Sequence, residues 1–449
     1  MKITSNLTLN QKFLNFIFIM LPIAYVVGNF AINLMTVLII SSAFFAFDNE
    51  LKKKENKKIL IYLLIFFILL VVSTLIEKLL YSENNNIIKS LLFLRYFILT
   101  FGLVNIIKKF NINLKYFLIS CLTCSLLLSV DVIFQSIVGK DIFGFTSFGS
   151  HNSGFLGSEL NAGSYIKRFF FLGVFAIPLI SKNKNKFNIL FLIALLICFF
   201  GIVLSGNRMP VLLFLLFIFL FFLLVKNFKY ELIAAFLISI LSYQALLSTN
   251  DSLKESYISF KSNIVAISKI IFEINEKFPE LEKNKGTVFY QRYNNEFNNE
   301  QKAKYKNKIR FGSGHRVVFL TAIDTFNDSP ILGSGINSFR IKCKDKLHLP
   351  TRLCQNHPHN YYLDILNAVG LVGLIVLLSA LYYIYLKRNL IVMKLSAENY
   401  YIYNAIFISL IVELFPLQSS GSFFSTLNAS YIFLLLGLIL NFNFNKIKK

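Results

Sequence analysis

Long apolar runs alternate with short polar connections along most of this chain. Runs near 13–29, 31–47, 59–77, 88–106, 116–138, 164–181, 187–205, 209–225, 231–248, 360–386, 400–417 and 423–441 are each apolar over most of their length. About 20 residues of helix cross a bilayer's hydrocarbon core. The pattern therefore predicts an all-α polytopic membrane protein of about twelve transmembrane helices. The first two runs are joined only by a turn near Gly28, and the run from 164 carries Lys167 and Arg168. The first run lacks a small-residue cleavage site and leads into a second, so it reads as a span and not as a removable signal.

Residues 249–359 break the rhythm. They form one long polar connection between spans nine and ten, dividing the chain into spans one to nine (1–248), a loop (249–359) and spans ten to twelve (360–449). Long connections of this kind are uncommon and usually functional. The first part places Ile264, Ile267, Ile270, Ile271 and Ile274 at helical spacing, predicting an amphipathic helix. The middle, Lys283 to Arg310, is rich in Lys and Asn, and the last part, Phe311 to His359, in Gly, Arg and His.

Charge then orients the chain. Only 15% of residues are charged, yet the net charge is +23; a soluble domain carries about 25% charged residues. With the N-terminus in the cytoplasm, the inside connections hold Lys52–Lys54, Lys57, Lys58, Lys108, Lys109, Lys115, Lys182, Lys184, Lys186, Lys226, Lys229, Lys387, Arg388 and Lys394. The tail adds Lys446, Lys448 and Lys449, while the short outside connections hold little beyond Lys78, Lys140 and Arg208. This is the positive-inside bias. It accounts for much of the basic charge without any nucleic-acid partner. It predicts an inner-membrane protein with both termini cytoplasmic and the long loop on the extracytoplasmic side, which is the periplasm if the resemblance given below holds.

Cysteine is sparse. Cys121 and Cys124 read as small residues of an apolar helix, as does Cys198. Cys343 and Cys354 share the loop, where an oxidising compartment would allow a disulfide just before His357.

Candidate chemistry lies at the outer rim. Arg208 sits in the turn Ser205-Gly206-Asn207-Arg208, placed either to snorkel or to clamp an anion through its forked guanidinium. Arg316, in Gly312-Ser313-Gly314-His315-Arg316, opens an apolar helical run. His357, His359 and Asn360 stand where the loop re-enters the membrane; a histidine there can titrate near neutral pH and act as a base. Arg340 is a further loop cation for substrate binding. His315 and His348 could be joined to His357 and His359 as metal ligands, but no spacing fits a known zinc pattern. No Asp-x-Asp pair offers itself to a cation on that side. The chain is thus read as binding neither metal nor other cofactor.

Three motifs in order resemble the O-antigen ligase and O-antigen polymerase superfamily of bacterial envelope glycosyltransferases. Ser205-Gly206-Asn207-Arg208 is similar to the family's Ser-Gly-x-Arg turn. Arg316 followed by Pro330-Ile331-Leu332-Gly333-Ser334-Gly335 resembles its Arg, helix, Pro-x-x-Gly-x-Gly signature. His359-Asn360, nine residues, then Gly370-Leu371-Val372-Gly373 resembles the ligase motif. The resemblance implies a donor glycan on undecaprenyl pyrophosphate, with lipid A-core or another lipid-linked glycan as acceptor. It implies Arg208 and Arg316 on the pyrophosphate and His359 as base. Lys167 or Arg168, after Gly157–Tyr165, could steer the pyrophosphate, with Glu159 able to pair with either; the alternative reading is an interfacial basic pair. Leu374-Ile375 depart from ligases that carry hydroxyl residues there, and His357 beside His359 leaves the base open. Both points keep the polymerase reading alive. A transporter or lipid-linked glycan flippase is the reading from another class. A flippase would use intramembrane charge, for which Glu77, Asp131, Arg95 and Glu413 are the chief candidates.

Overall fold

The computed structural model describes residues 8–45, 54–81, 86–180, 184–249, 254, 257–258, 314–349 and 352–442 of the 449. The amphipathic stretch around Ile264–Ile274, the segment Lys283–Arg310 and the basic residues Lys52, Lys53, Lys182, Lys446, Lys448 and Lys449 lie outside them.

The protein is an all-α polytopic membrane protein. In chain order its principal helices are α1 (Leu9–Val27), α2 (Asn29–Phe44), α3 (Lys54–Tyr81), α4 (Ile87–Leu92), α5 (Leu94–Lys109) and α6 (Leu114–Val138). Then come α7 (Ala162–Gly173), α8 (Ile177–Ile180), α9 (Lys184–Leu204), α10 (Arg208–Leu224) and α11 (Lys229–Thr249). After the long connection follow α12 (Gly314–Asn327), α13 (Phe339–Lys342), α14 (Tyr361–Val392), α15 (Ala397–Glu413) and α16 (Thr426–Phe442). Each apolar run lies on one or more of these helices. Eight spans among the described residues are long and apolar enough to cross a membrane. The span from 88 is broken at Phe93. The span from 164 is composite: α7, one 3-10 turn over Val174–Ala176, then α8.

Side chains sort as a bilayer demands. Phe30, Leu79 and Ile137 are 81%, 75% and 78% exposed, a display that lipid tolerates and water penalises. Inside, Phe171 stacks on Phe217 at 4.1 Å, and Phe93, Phe97, Phe423 and Phe433 form a ring cluster at 4.9–6.4 Å. Between helices in lipid the attraction is mainly packing, so small residues set the closest approaches. A Cβ on Gly173 would meet the Leu122 backbone nitrogen of α6 at 2.2 Å.

One end of the bundle is basic. Lys109 Nζ donates to the Phe45 carbonyl at 2.7 Å, and Arg388 reaches the Leu224 carbonyl and Asn404. Lys58 and Lys387 both lie over the Tyr383 ring. The other end carries the turn before α10 and the segment 314–360.

That segment is welded to the bundle through a break in α14. Gly370 takes φ 64°, ψ −167° in the middle of the helix, a region open essentially to glycine alone. A break exposes backbone groups that must find partners in the membrane. The turn segment 330–335 supplies them. Ser334 and Gly335 N–H donate to the Asn367 and Ala368 carbonyls at 2.8 and 2.9 Å. Leu371 and Val372 N–H donate to the Pro330 and Ile331 carbonyls at 2.9 and 3.2 Å. The Pro-x-x-Gly-x-Gly and Gly-x-x-Gly motifs are therefore two halves of one joint. On its far side Ser73 of α3 donates to the Ala368 carbonyl, and Thr74 accepts from Ile336 N–H. Lys342 pairs with Glu77 at 2.9 Å.

Candidate active site

The turn before α10 is seated on its neighbours. Asn207 accepts from Gly163 N–H at 2.9 Å and donates to the Leu160 carbonyl at 3.0 Å. Gly206 has φ +73°, and a Cβ there would lie 2.5 Å from the Ser150 carbonyl and 2.8 Å from His151 Nδ1. Only glycine brings this turn so close, and the result fixes Arg208 at the first residue of α10.

The second element is α12. Its hub is Asn367 of α14, which accepts from Thr325 at 2.5 Å and donates to the Ala322 carbonyl at 3.0 Å. Leu353 N–H donates to Thr321, Arg352 pairs with Asp324, and a disulfide joins Cys343 to Cys354. These contacts carry the first turn of α12, with His315 and Arg316, toward the start of α14. The backbone of Arg316 is helical, and its side chain lies outside the described residues. Arg340, on α13, is exposed.

The third element is the start of α14. Asn360 caps the helix by accepting from Tyr362 and Leu363 N–H, while its amide donates to the Pro416 and Gln418 carbonyls. Asn360 thereby ties the start of α14 to the segment before α16. His359 just before it has φ +57°, and its carbonyl accepts from Ser420 N–H at 2.8 Å. A non-glycine residue held in the left-handed region is uncommon and concentrates at functional sites. His359 Nε2 lies 2.5 Å from Gln355 Oε1.

These elements converge. The His359 ring centroid is 4.9 Å from His315 and 4.2 Å from His357. The charge of Arg208 acts on His315 and on His151. His315 is exposed at the start of α12. The enclosing protein, then Arg208 and His357, push its pKa down to about 4. Burial lowers His357 as well, and its Nε2 is buried without a hydrogen bond. Both rings are thus neutral near pH 7. Among the described residues, no three His, Cys, Asp or Glu side chains are grouped to hold a metal ion.

Lys167 and Arg168 lie elsewhere. Both are buried and both pair with Glu413 of α15, at 2.8 and 2.6 Å, not with Glu159. Arg168 also donates to Asn428 and to Tyr361, and Tyr361 donates to Glu413 at 2.8 Å. Glu159 accepts from Asn161. A carboxylate contributed by a helix so far along the chain gave no local signal near 167. Gln355 was also missed, since a single loop amide carries no motif. Of the remaining intramembrane charges, Arg95 donates to Tyr96, and Asp131 accepts from Ile142 N–H.

No curated protein matches the chain. Residues 193–378, which hold Arg208, α12, the joint at Gly370 and His359, match the family model described as O-antigen ligase, which supports the resemblance to the O-antigen ligase and polymerase superfamily.

Proposed function

We propose that this protein is a glycosyltransferase of the ligase type, moving a glycan from undecaprenyl pyrophosphate to lipid A-core. The observation that carries the reading is the packing of His315, His357 and His359 against one another, with the charge of Arg208 acting on His315. An acceptor hydroxyl oxygen attacks the anomeric carbon of the donor. The bond from that carbon to the pyrophosphate oxygen breaks, and the electron pair leaves with undecaprenyl pyrophosphate. The acceptor's proton passes to His359. Negative charge grows on the leaving oxygens, where Arg208 and Arg316 stabilise it in a partly dry site.

With Gln355 Oε1 as the acceptor, His359 carries its proton on Nε2 and the lone pair on Nδ1. His357 is the second candidate base, on the strength of its unpartnered, buried Nε2. Lys167 and Arg168, neutralised by Glu413, serve as framework beneath the site in place of pyrophosphate contacts. In this reading the basic end of the bundle faces the cytoplasm and the site faces the periplasm. The departure at Leu374-Ile375 favours the second reading, a polymerase that uses the same donor chemistry with a lipid-linked glycan as acceptor.

The test is reconstitution with glycan-bearing undecaprenyl pyrophosphate and lipid A-core, without nucleotide. Glycan on lipid A-core supports the ligase. Longer glycan on the carrier makes the protein a polymerase. Transfer to neither, beside an active control, overturns both.

A further inference from the structure

The connection between α6 and α7 displays apolar side chains where a loop is ordinarily polar. Ile142, Phe143, Phe145 and Phe148 are 62%, 70%, 50% and 53% exposed. They lie on a small hairpin closed by an antiparallel bridge between Lys140 and Thr146. A contiguous exposed apolar patch marks a contact surface.

The backbone beneath the patch is closed on itself. Five consecutive N–H groups, Asp141 to Phe145, donate to groups of the protein. Asp141 N–H donates to the Phe145 carbonyl and Gly144 N–H to the Asp141 carbonyl, both at 3.0 Å. Ile142 N–H donates to the Asp131 carboxylate of α6 at 3.1 Å. Phe143 and Phe145 N–H share Asp141 Oδ1, at 3.0 and 2.7 Å. The Phe145 carbonyl also accepts from the Gln135 amide at 3.0 Å. A turn in water can leave its amides to the solvent, whereas a turn that meets lipid must satisfy them internally.

The patch continues a face that already meets lipid. On α6, Leu127, Val130, Phe134, Ile137 and Val138 are exposed at helical spacing, and Ile142 and Phe143 follow just beyond Gly139. Length gives the depth. The hydrocarbon core is about 30 Å thick and takes about 20 residues of helix. Counted from Lys115, at the basic end of the bundle, it ends near Gln135. The last turn of α6 and the hairpin therefore stand at the opposite boundary, between acyl chains and headgroups. Lys140 is exposed at the base of the hairpin, at the level of the lipid phosphates.

We infer that this hairpin is a membrane anchor: Ile142, Phe143, Phe145 and Phe148 insert into the interfacial layer of the leaflet at the end of the bundle that carries the turn before α10. The anchor is joined to that turn by hydrogen bonds. Ser147 bonds to Asn152 at 2.7 Å, and the Asn152 amide donates to the Leu204 carbonyl at 2.6 Å.

The chain contains no tryptophan, so Phe143→Trp places a single fluorophore on the hairpin. The purified full chain would be held in phosphatidylcholine nanodiscs, in matched sets brominated near the headgroup or near the acyl-chain ends. Emission is expected to be blue-shifted, quenched several-fold more by the shallow bromines than by the deep ones, and shielded from iodide. Lys344→Trp, at an exposed position of the late segment, supplies the water-facing reference, quenched by iodide alone. Ile142→Trp repeats the measurement if Phe143→Trp does not fold. Iodide quenching equal to the reference, without bromine quenching, would place the hairpin in water and overturn the inference. Shielding from both quenchers would mean that protein covers the hairpin, a second copy or another part of the chain, and would overturn it too. Quenching mainly by the deep bromines would contradict the interfacial depth.

Discussion

His315 and His359 stand edge to face, 4.9 Å between ring centroids, although they come from opposite ends of the described late segment. The pair exists because α12 is bolted to α14 through Asn367, with Thr325 and the Ala322 carbonyl as its partners. It also brings the first turn of α12, which carries the backbone of Arg316, beside the start of α14. Replacing Arg208 or Arg316 by Ala should cost a charge-assisted contact of about 1.5–3 kcal/mol, roughly one to two decades of rate. Expression and membrane insertion should be unchanged. Initial rates on purified variants decide it, and a wild-type rate in either removes that residue from the clamp.

Gln355 is expected to set the tautomer and orientation of His359 through its 2.5 Å contact with Nε2. A carboxylate at the same place would stabilise the imidazolium. Gln355→Glu should therefore move the acid limb of kcat to higher pH, and Gln355→Leu should lower kcat with little change in KM. A purely structural residue would leave the pH profile where it was.

The His315 pKa, about 4 in the folded protein against an ordinary 6.5, has a consequence for stability. The unfolded chain takes up the proton more readily, so acid favours unfolding. The contribution is whole above pH 6.5 and declines as pH falls toward 4. Thermal melts across that window should lose less with His315→Asn than with the wild type. Parallel pH slopes for the two proteins would remove His315 from the explanation.

The joint at Gly370 predicts a severe lesion. Alanine there would occupy a backbone region essentially closed to it and place Cβ 2.2 Å from the Ile331 carbonyl. The strained backbone alone costs about 1–3 kcal/mol. Glu413→Leu should match it for another reason, since removing one partner of a buried ion pair costs about 3–5 kcal/mol. In detergent, the yield of folded protein and its melting temperature should fall for both. Normal melting of Gly370→Ala would mean that the two glycine motifs do not form one joint.

The helices were legible because lipid-facing and buried faces are both apolar, so hydropathy alone reveals them. Arg208 and His359 were legible because each sits in a short motif at a helix start. What stayed hidden was long-range pairing. Lys167 and Arg168 looked like interfacial cations, since Glu413 reaches them from α15. The nine-residue spacing from Asn360 to Gly370 was readable as a motif, but its cause, backbone pairing with residues 330–335, appears only in three dimensions. Asn360 read as part of the chemistry, and its capping of α14 carried no signal of its own.

The most direct test of the central claim is single-turnover glycan transfer from the lipid-linked donor, measured side by side for wild type, His357→Ala and His359→Ala at saturating acceptor. Loss of a general base removes about two to four decades of rate. The account predicts that loss in His359→Ala, with donor binding preserved and a much smaller loss in His357→Ala. Transfer at the wild-type rate in His359→Ala, with His357→Ala inactive, would contradict the assignment of the base.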